Sequence, residues 1–126
     1  MLDDRFETHS STMLDDDGLW DRNSSLFSWT ALLGERRGTE DVSPYAAPAR
    51  AKDLTGLPRT FIDVGSAEGF RDEVISYASN LSRAGVSVDL HMWGGGFHGF
   101  DTVRHVPVAQ AAFATRSEFV RRALQR

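Results

Sequence analysis

The order of predicted elements in the second half of the sequence restricts the fold most. Residues 59–65 have the composition of a short strand, residues 71–84 place apolar side chains at helical spacing, and residues 86–93 alternate like a second strand. A last helix is predicted over residues 108–123. A strand, a helix and a strand in this order form a right-handed crossover with two parallel strands. The expected fold class is therefore α/β, a βαβ unit with covering helices.

The first half of the sequence is less regular. Residues 1–20 are polar and acidic, with a run of aspartates at 15–17, and are predicted to be solvated loop. Residues 23–33 follow a helical pattern, with Asn23 or Ser24 as its cap and Gly34 as a left-handed stop. The apolar face of this helix would consist of Leu26, Trp29, Ala31, Leu32 and Leu33. The proline-containing segment 43–50 is expected to be extended, since the residue before each proline avoids the α region.

Composition and charge exclude several classes of function. The chain has 126 residues, 40% of them hydrophobic, and a formal net charge of −4, which gives no electrostatic reason to bind nucleic acid or an anionic membrane. No apolar stretch approaches the roughly 20 residues that span a bilayer. Cysteine is absent, which excludes disulfides and thiolate chemistry. We therefore expect a cytoplasmic protein without nucleic-acid or membrane partners.

Neither a metal nor a nucleotide cofactor is expected. The four histidines, His9, His91, His98 and His105, lack the spacing of a helical zinc site. The glycine run at 94–96 is not followed by the Lys-Ser/Thr of a phosphate-binding loop. His91 falls inside a predicted strand, where a structural role is the expectation.

Two loops carry the residues of chemical interest. Glu68 follows the first predicted strand in the sequence Gly-Ser-Ala-Glu-Gly, and His98 follows the second in Gly-Gly-Gly-Phe-His-Gly-Phe. Both loops lie at the carboxyl ends of parallel strands, where such sheets place their active residues. A carboxylate and a histidine are two arms of a Ser-His-Asp/Glu triad. Two plainer interpretations remain open: a solvent-exposed turn glutamate, and a loop histidine that satisfies a backbone carbonyl.

The third arm of a triad is absent from the sequence. No Gly-x-Ser-x-Gly motif occurs, and no His-Gly-Gly-Gly run is present to build an oxyanion hole. Ser66 follows a glycine, but Val64 and Gly69 do not complete the motif around it. Phe97 and Phe100 flank His98 and are expected to shield its ring from water.

Four stretches in the right order resemble the hormone-sensitive-lipase-like esterases of the α/β hydrolase fold-3 family. Residues 1–5, Met-Leu-Asp-Asp-Arg, resemble the loop after the family's sixth strand, and residues 43–50 with 54–58 resemble the approach to its seventh. Residues 68–73, Glu-Gly-Phe-Arg-Asp-Glu, resemble the family's Asp-Pro-Leu-x-Asp-Glu acid motif. Residues 97–100, Phe-His-Gly-Phe, match its histidine motif.

The resemblance implies a C-terminal portion of an α/β-hydrolase fold. Residues 1–126 would form one partial domain, with loop, short helix and extended segment in 1–58 and the last two strands and helices in 59–126. His98 falls on the catalytic base. Glu68 falls on the catalytic acid, which is more often aspartate in the family, and Asp72 is the alternative acid. Gly69 replaces the family's proline, which leaves this turn less fixed.

The function implied is that of a carboxylic-ester hydrolase of the serine esterase or lipase type, acting on a small acyl ester. The chain would be its C-terminal fragment, inactive alone because the nucleophile and oxyanion loop would precede Met1. Two alternatives remain: a non-catalytic binding or assembly module of hydrolase ancestry, and a half-enzyme completed by a partner chain. An unpaired strand edge at 59–65 predicts a homo-oligomer, since bare edges recruit partners.

Overall fold

The computed structural model describes residues 1–16 and 18–125, so that Asp17 of the acidic run and Arg126 lie outside it. Its regular elements, in chain order, are helix α1 (Arg22–Leu33), strand β1 (Thr60–Gly65), helix α2 (Arg71–Arg83), strand β2 (Val88–Trp93) and helix α3 (Pro107–Leu124). Short 3-10 turns occur at Ser10–Thr12, Gly34–Arg36, Pro48–Arg50 and Phe100–Thr102.

The two strands form a parallel sheet. Thr60 lies opposite Val88 and Gly65 opposite Trp93, so both strands end at the same level. Helix α2 makes the crossover between them, as the order of elements requires. The prediction of an α/β fold with parallel strands is confirmed. In the part of the chain that the structure describes, no helix is both long and apolar enough to cross a membrane.

Helix α2 supplies the best-defined apolar core. The sequence predicts an apolar face of Val74, Ile75, Ala78 and Leu81. Val74, Ala78 and Leu81 are buried as predicted, whereas Ile75 is 37% exposed. Leu81 packs with Leu54 and Val86. The chain then turns at Gly85, whose φ of 82° lies in the left-handed region that favours glycine.

Helix α1 differs from its prediction in cap, face and stop. Asp21 is the cap, because its Oδ1 accepts the Ser24 N–H at 2.7 Å. The buried side chains are those of Ser25, Trp29 and Leu33, whereas Leu26 and Leu32 are exposed. At Gly34, φ is 58° but ψ is −133°, so the chain leaves the helix by a 3-10 turn and not by a left-handed cap.

The segment 43–50 is turned, not extended. The Ser43 carbonyl accepts the N–H groups of Ala46 at 2.9 Å and Ala47 at 3.0 Å. Pro48 opens a 3-10 turn that ends at Arg50. The reason is that proline suits the first positions of turns, where its fixed φ and missing N–H cost nothing. The expectation of an extended segment was wrong.

Helix α3 packs through small residues. Ala109 and Ala112 are buried against Phe100, while Phe113, Val120 and Leu124 are exposed. The Arg116 guanidinium turns towards the sheet and pairs with Asp63.

Residues 1–12 are tied to α2 by buried polar groups. Glu73, only 5% exposed, accepts the backbone N–H groups of Leu2 at 2.7 Å and Asp3 at 3.2 Å. Burial raises the pKa of Glu73, although these hydrogen bonds oppose the increase. At the other end of the segment, Ser10 Oγ donates to the Gly69 carbonyl at 2.8 Å. The loop predicted for the N-terminus is therefore anchored beside the first turn of α2.

Candidate active site

Backbone hydrogen bonds join the loops that follow the two strands. Ser66 N–H donates to the Trp93 carbonyl and Ala67 N–H donates to the Gly96 carbonyl, both at 2.9 Å. The Ser66 hydroxyl also accepts the Gly95 N–H at 2.8 Å. These bonds continue the sheet pairing past the strand ends, and they place Glu68 and His98 side by side.

Glycine at two positions permits this close approach. A Cβ on Gly65 would overlap the carbonyl group of Gly96, and a Cβ on Gly96 would lie 3.0 Å from the Gly65 Cα. Both neighbours are backbone atoms, which cannot move aside as a flexible side chain can. Glycine is therefore a steric requirement here, independent of any special backbone angle.

Glu68 and His98 form a direct pair. His98 Nδ1 lies 2.9 Å from Glu68 Oε2. Because a carboxylate only accepts hydrogen bonds, Nδ1 is the donor of this bond, and in a neutral imidazole Nε2 is then a proton acceptor. Glu68 is 6% exposed, whereas 38% of the His98 side chain remains accessible. This arrangement suits a base that is held by a buried carboxylate and reached from outside.

The second carboxylate oxygen of Glu68 has no protein partner among the described residues. Glu68 Oε1 is buried and accepts no hydrogen bond there. An unpaired buried carboxylate oxygen is costly, and a donor to it would stabilise the ionised form. A cavity of about 300 Å³ opens beside the pair, lined by Glu68, His98, Phe97, Asp101 and Arg116.

The rings that pack on His98 are those of Trp20 and Phe70. Their centroids lie 5.2 and 5.8 Å from the imidazole centroid. Phe97, expected to shield the ring, is 43% exposed, and Phe100 is buried against α3. The contact of Trp20 with His98 has no local sequence pattern, because Trp20 lies 78 residues before His98 in an irregular segment.

Asp72, the alternative acid, is engaged elsewhere. Its Oδ2 accepts the Ser10 N–H at 2.8 Å, and its Oδ1 accepts Arg71 Nε at 2.8 Å. The hydrogen bond from Arg71 holds the pKa of Asp72 below its usual range, although burial opposes this. The structure thus brings Glu68, and not Asp72, to His98.

An ion-pair network underlies the site and was not predicted. Asp63, in the middle of β1, accepts Trp93 Nε1 and Arg116 Nε, each at 2.9 Å. Arg116 also binds Asp101 in the turn after His98, and this bond holds the pKa of Asp101 below its usual range. One feature of the sequence could have indicated it: Asp63 stands between apolar neighbours in a predicted strand, where a charged side chain needs a partner. The network fixes the histidine loop to β1 and α3.

A further histidine, His91, lies in β2. His91 stacks between Phe61 and Trp93, with centroids 5.2 and 5.6 Å away, a packing role consistent with its place in β2. Within residues 1–16 and 18–125, no group of three His, Asp or Glu side chains is arranged to hold a metal ion.

Comparison with known proteins identifies the relatives of this chain. Residues 1–102 match the model of a family described as having the alpha/beta hydrolase fold. The carboxylic ester hydrolase LipN of Mycobacterium tuberculosis is 39% identical over 61 residues, which are 48% of this chain and 16% of LipN. An acetyl-hydrolase of Streptomyces hygroscopicus is 34% identical over 87 residues, 68% of this chain and 29% of that protein. The chain thus spans less than a third of these curated relatives.

Solved structures give the same result over the whole length of the chain. A bacterial heroin esterase superposes with a TM-score of 0.96 at 44% identity, covering 100% of this chain and 41% of its own. Esterase LipW of Mycobacterium marinum superposes with a TM-score of 0.91 at 33% identity, covering 100% of this chain and 39% of its own. The resemblance seen in the four motifs is confirmed: the chain belongs to the hormone-sensitive-lipase-like esterases of the α/β hydrolase fold-3 family.

Proposed function

We propose that this chain supplies the acid and base arms of a serine carboxylic-ester hydrolase, with Glu68 as the acid and His98 as the base. The contact between His98 Nδ1 and Glu68 Oε2, 2.9 Å long and formed by a buried carboxylate, carries the proposal. The nucleophilic serine and the oxyanion hole come from residues outside the printed sequence, which has no Gly-x-Ser-x-Gly motif.

The pair has a defined role in ester cleavage. His98 Nε2 takes the proton from the serine hydroxyl as its oxygen attacks the acyl carbon, and later returns that proton to the leaving alcohol. Glu68 holds the imidazole in the required tautomer and stabilises the cation that forms. Burial of Glu68 strengthens this interaction, because water screens it less.

The 126 residues alone are expected to be inactive. Without a nucleophile the covalent route is closed, and removing such a serine costs about 10⁶-fold in rate in a related triad chemistry. Intact mass after treatment with a fluorophosphonate tests this directly. We expect no stoichiometric mass gain from the folded chain, and a gain would mean that it contains an activated serine.

A chimera tests the roles of the two side chains. The chain would replace the matching 41% of the bacterial heroin esterase, whose remaining part is kept. We expect this chimera to hydrolyse a short p-nitrophenyl ester. Replacement of the base, His98→Ala, should lower kcat by at least about 10³-fold, and Glu68→Gln by a smaller factor, because the histidine is retained.

Matched variants separate the site from general damage. Asp72→Asn removes the other acid of the same motif, which points away from His98, and should leave kcat within a few fold. A folded chimera whose activity does not depend on His98 would overturn the proposal. A folded chimera without any activity would favour the non-catalytic module instead.

A further inference from the structure

Trp20 packs against the His98 ring. The two ring planes are inclined by 31° with centroids 5.2 Å apart. Trp20 Nε1 donates to Ser25 Oγ at 2.8 Å, and Ser25 is only 5% exposed in the first turns of α1. The indole is thus held in place from α1, and its orientation on His98 does not depend on the imidazole alone.

An indole face is a favourable neighbour for a cation. Its negative quadrupole attracts positive charge within about 6 Å of the ring centroid, and tryptophan is the strongest of the aromatic residues in this respect. The His98 centroid lies inside that range. The imidazole is neutral at rest and positively charged in the transition state, so contact with the indole stabilises the second state more than the first.

The other charged groups near His98 either favour its protonated form, as the Trp20 indole does, or are already paired with another residue. Glu68 contacts Nδ1, and the Asp101 carboxylate lies close enough to interact with the imidazolium. Arg116 is bonded to Asp63 and Asp101, while Arg71, at the start of α2, is bonded to Asp72. Phe70 meets the imidazole at 82°. Of the two rings that contact His98, Trp20 has the smaller interplanar angle, 31° against 82° for Phe70.

We propose that Trp20 is a positioning residue for the base, which fixes the plane of the His98 ring and favours its protonated form as the proton leaves the serine. This inference rests on the proposed function for its role in catalysis. The physical effect on His98, however, exists in the chain as it stands and is measurable without a nucleophile.

The test is an NMR titration of the histidine Cε1–H signals in the 126-residue chain. Trp20→Leu keeps an apolar cover but removes the aromatic face, and it should move the His98 titration midpoint about half a pH unit lower. That shift corresponds to about 0.7 kcal/mol at 1.36 kcal/mol per unit. Trp20→Phe restores a π-face and should recover at least half of the shift. Ser25→Ala releases the indole N–H and should produce a smaller change of the same sign.

Internal and matched controls make the result decisive. The midpoint of His91, stacked on other rings, should not move, and neither should that of His98 in Phe27→Leu, which changes an aromatic residue of α1 that is 76% exposed. An unchanged or higher His98 midpoint in folded Trp20→Leu would overturn the proposal and leave Trp20 as ordinary packing. If Trp20→Leu unfolds, Ser25→Ala decides, and an unchanged or higher His98 midpoint in that folded variant would overturn the proposal.

Failure of the proposed role of Trp20 is distinguishable from failure of the proposed esterase function. In the chimera, loss of the cation-stabilising effect would lower kcat in Trp20→Leu with KM nearly unchanged, whereas Trp20→Phe would recover activity. A chimera that requires His98 but shows the same kcat with Leu at position 20 keeps the esterase proposal and refutes the role of Trp20.

Discussion

The most completely buried charge in the described chain is that of Asp4, which is 0% exposed. Arg50 approaches it with two nitrogens, Nε at 2.8 Å and Nη2 at 2.9 Å, and the Gly38 N–H donates at 2.6 Å. Three chain segments far apart in sequence meet at this carboxylate. A buried charge of this kind contributes chiefly through the penalty that its loss would leave behind.

We therefore expect Asp4→Asn to lower the free energy of unfolding by about 3 kcal/mol, because Arg50 would keep its charge in a buried place without a counterion. Urea unfolding followed by circular dichroism measures this. Asp41→Asn is the matched control, since Asp41 is exposed and its replacement should change the free energy by less than about 0.5 kcal/mol. Equal effects of the two variants would contradict a special role of the buried pair of Asp4 and Arg50.

The same pair predicts a dependence on pH. Burial would raise the pKa of Asp4, but hydrogen bonds from Arg50 and Gly38 and the charge of Arg50 outweigh it and lower the pKa. A lowered pKa means that the stabilisation is present above the ordinary carboxyl range, near pH 4, and is lost as the pH falls through the lower, folded value. As the pH falls, the free energy of unfolding should therefore decrease less in Asp4→Asn than in the parent chain.

At the level of single residues, the sequence predicted which side chains could carry chemistry better than it predicted which side chains are buried. The meeting of Glu68 and His98 followed from their places after parallel strands. Nothing local distinguishes Asp4 or Glu73 from the exposed acids around them, because their burial depends on partners 34 to 71 residues away. The contact of Trp20 with His98 is of the same kind, since the two residues are far apart in the sequence.

At the level of elements, the strand ends are locked together where Gly65 faces Gly96. We expect Gly65→Ala to lower the free energy of unfolding by about 2 kcal/mol, as overpacking against backbone atoms does. The forced separation should also lengthen the contact between Glu68 and His98 and shift the His98 ring signals. Thermal unfolding and a proton NMR spectrum measure the two effects.

Gly94→Ala provides the control within the same loop. A Cβ there meets nothing within 4 Å, and no left-handed φ is required. This variant should be within about 0.5 kcal/mol of the parent. Comparable losses at both positions would mean that the loop requires flexibility and not a close approach.

The helices show why periodicity predicted one face and not another. In α2, polar residues fill the exposed side, so Val74, Ala78 and Leu81 mark the buried face without ambiguity. In α1, apolar residues occur all round the helix, and Leu26, Phe27 and Leu32 remain exposed while Ser25 is buried. A helix without a clear apolar stripe takes its orientation from its tertiary contacts, which its own sequence does not contain.

At the level of the whole molecule, the sheet has two strands, and in the described residues β1 pairs with β2 along one edge only. We propose that the chain dimerises, or exchanges elements, through the free edge of β1. The amides of Thr60 and Ser66 donate to the β2 side. By the alternation of a parallel ladder, those of Phe61 and Asp63 point away from it.

Light scattering at micromolar concentration should therefore give the mass of a dimer, and hydrogen exchange should show the Phe61 and Asp63 amides protected in it. Dilution that yields monomer should release these amides and leave those of Ile62 and Val64 protected. A monomer over the whole concentration range, or a dimer with both outward amides in fast exchange, would contradict the use of this edge.

The attachment of α3 has a consequence for how the molecule responds to its solvent. Helix α3 is held by an apolar cluster around Phe100 and Trp93 and by the contact of Phe119 with Phe61. It is also held to the sheet by Arg116 on Asp63 and Arg122 on Asp89, pairs that water partly reaches. Ions screen such pairs within about 10 Å at 0.1 M and about 3 Å at 1 M. Ionic strength therefore acts on the attachment of α3, and because Arg116 also holds Asp101, we expect added salt to loosen the histidine loop more than the apolar contacts of α2.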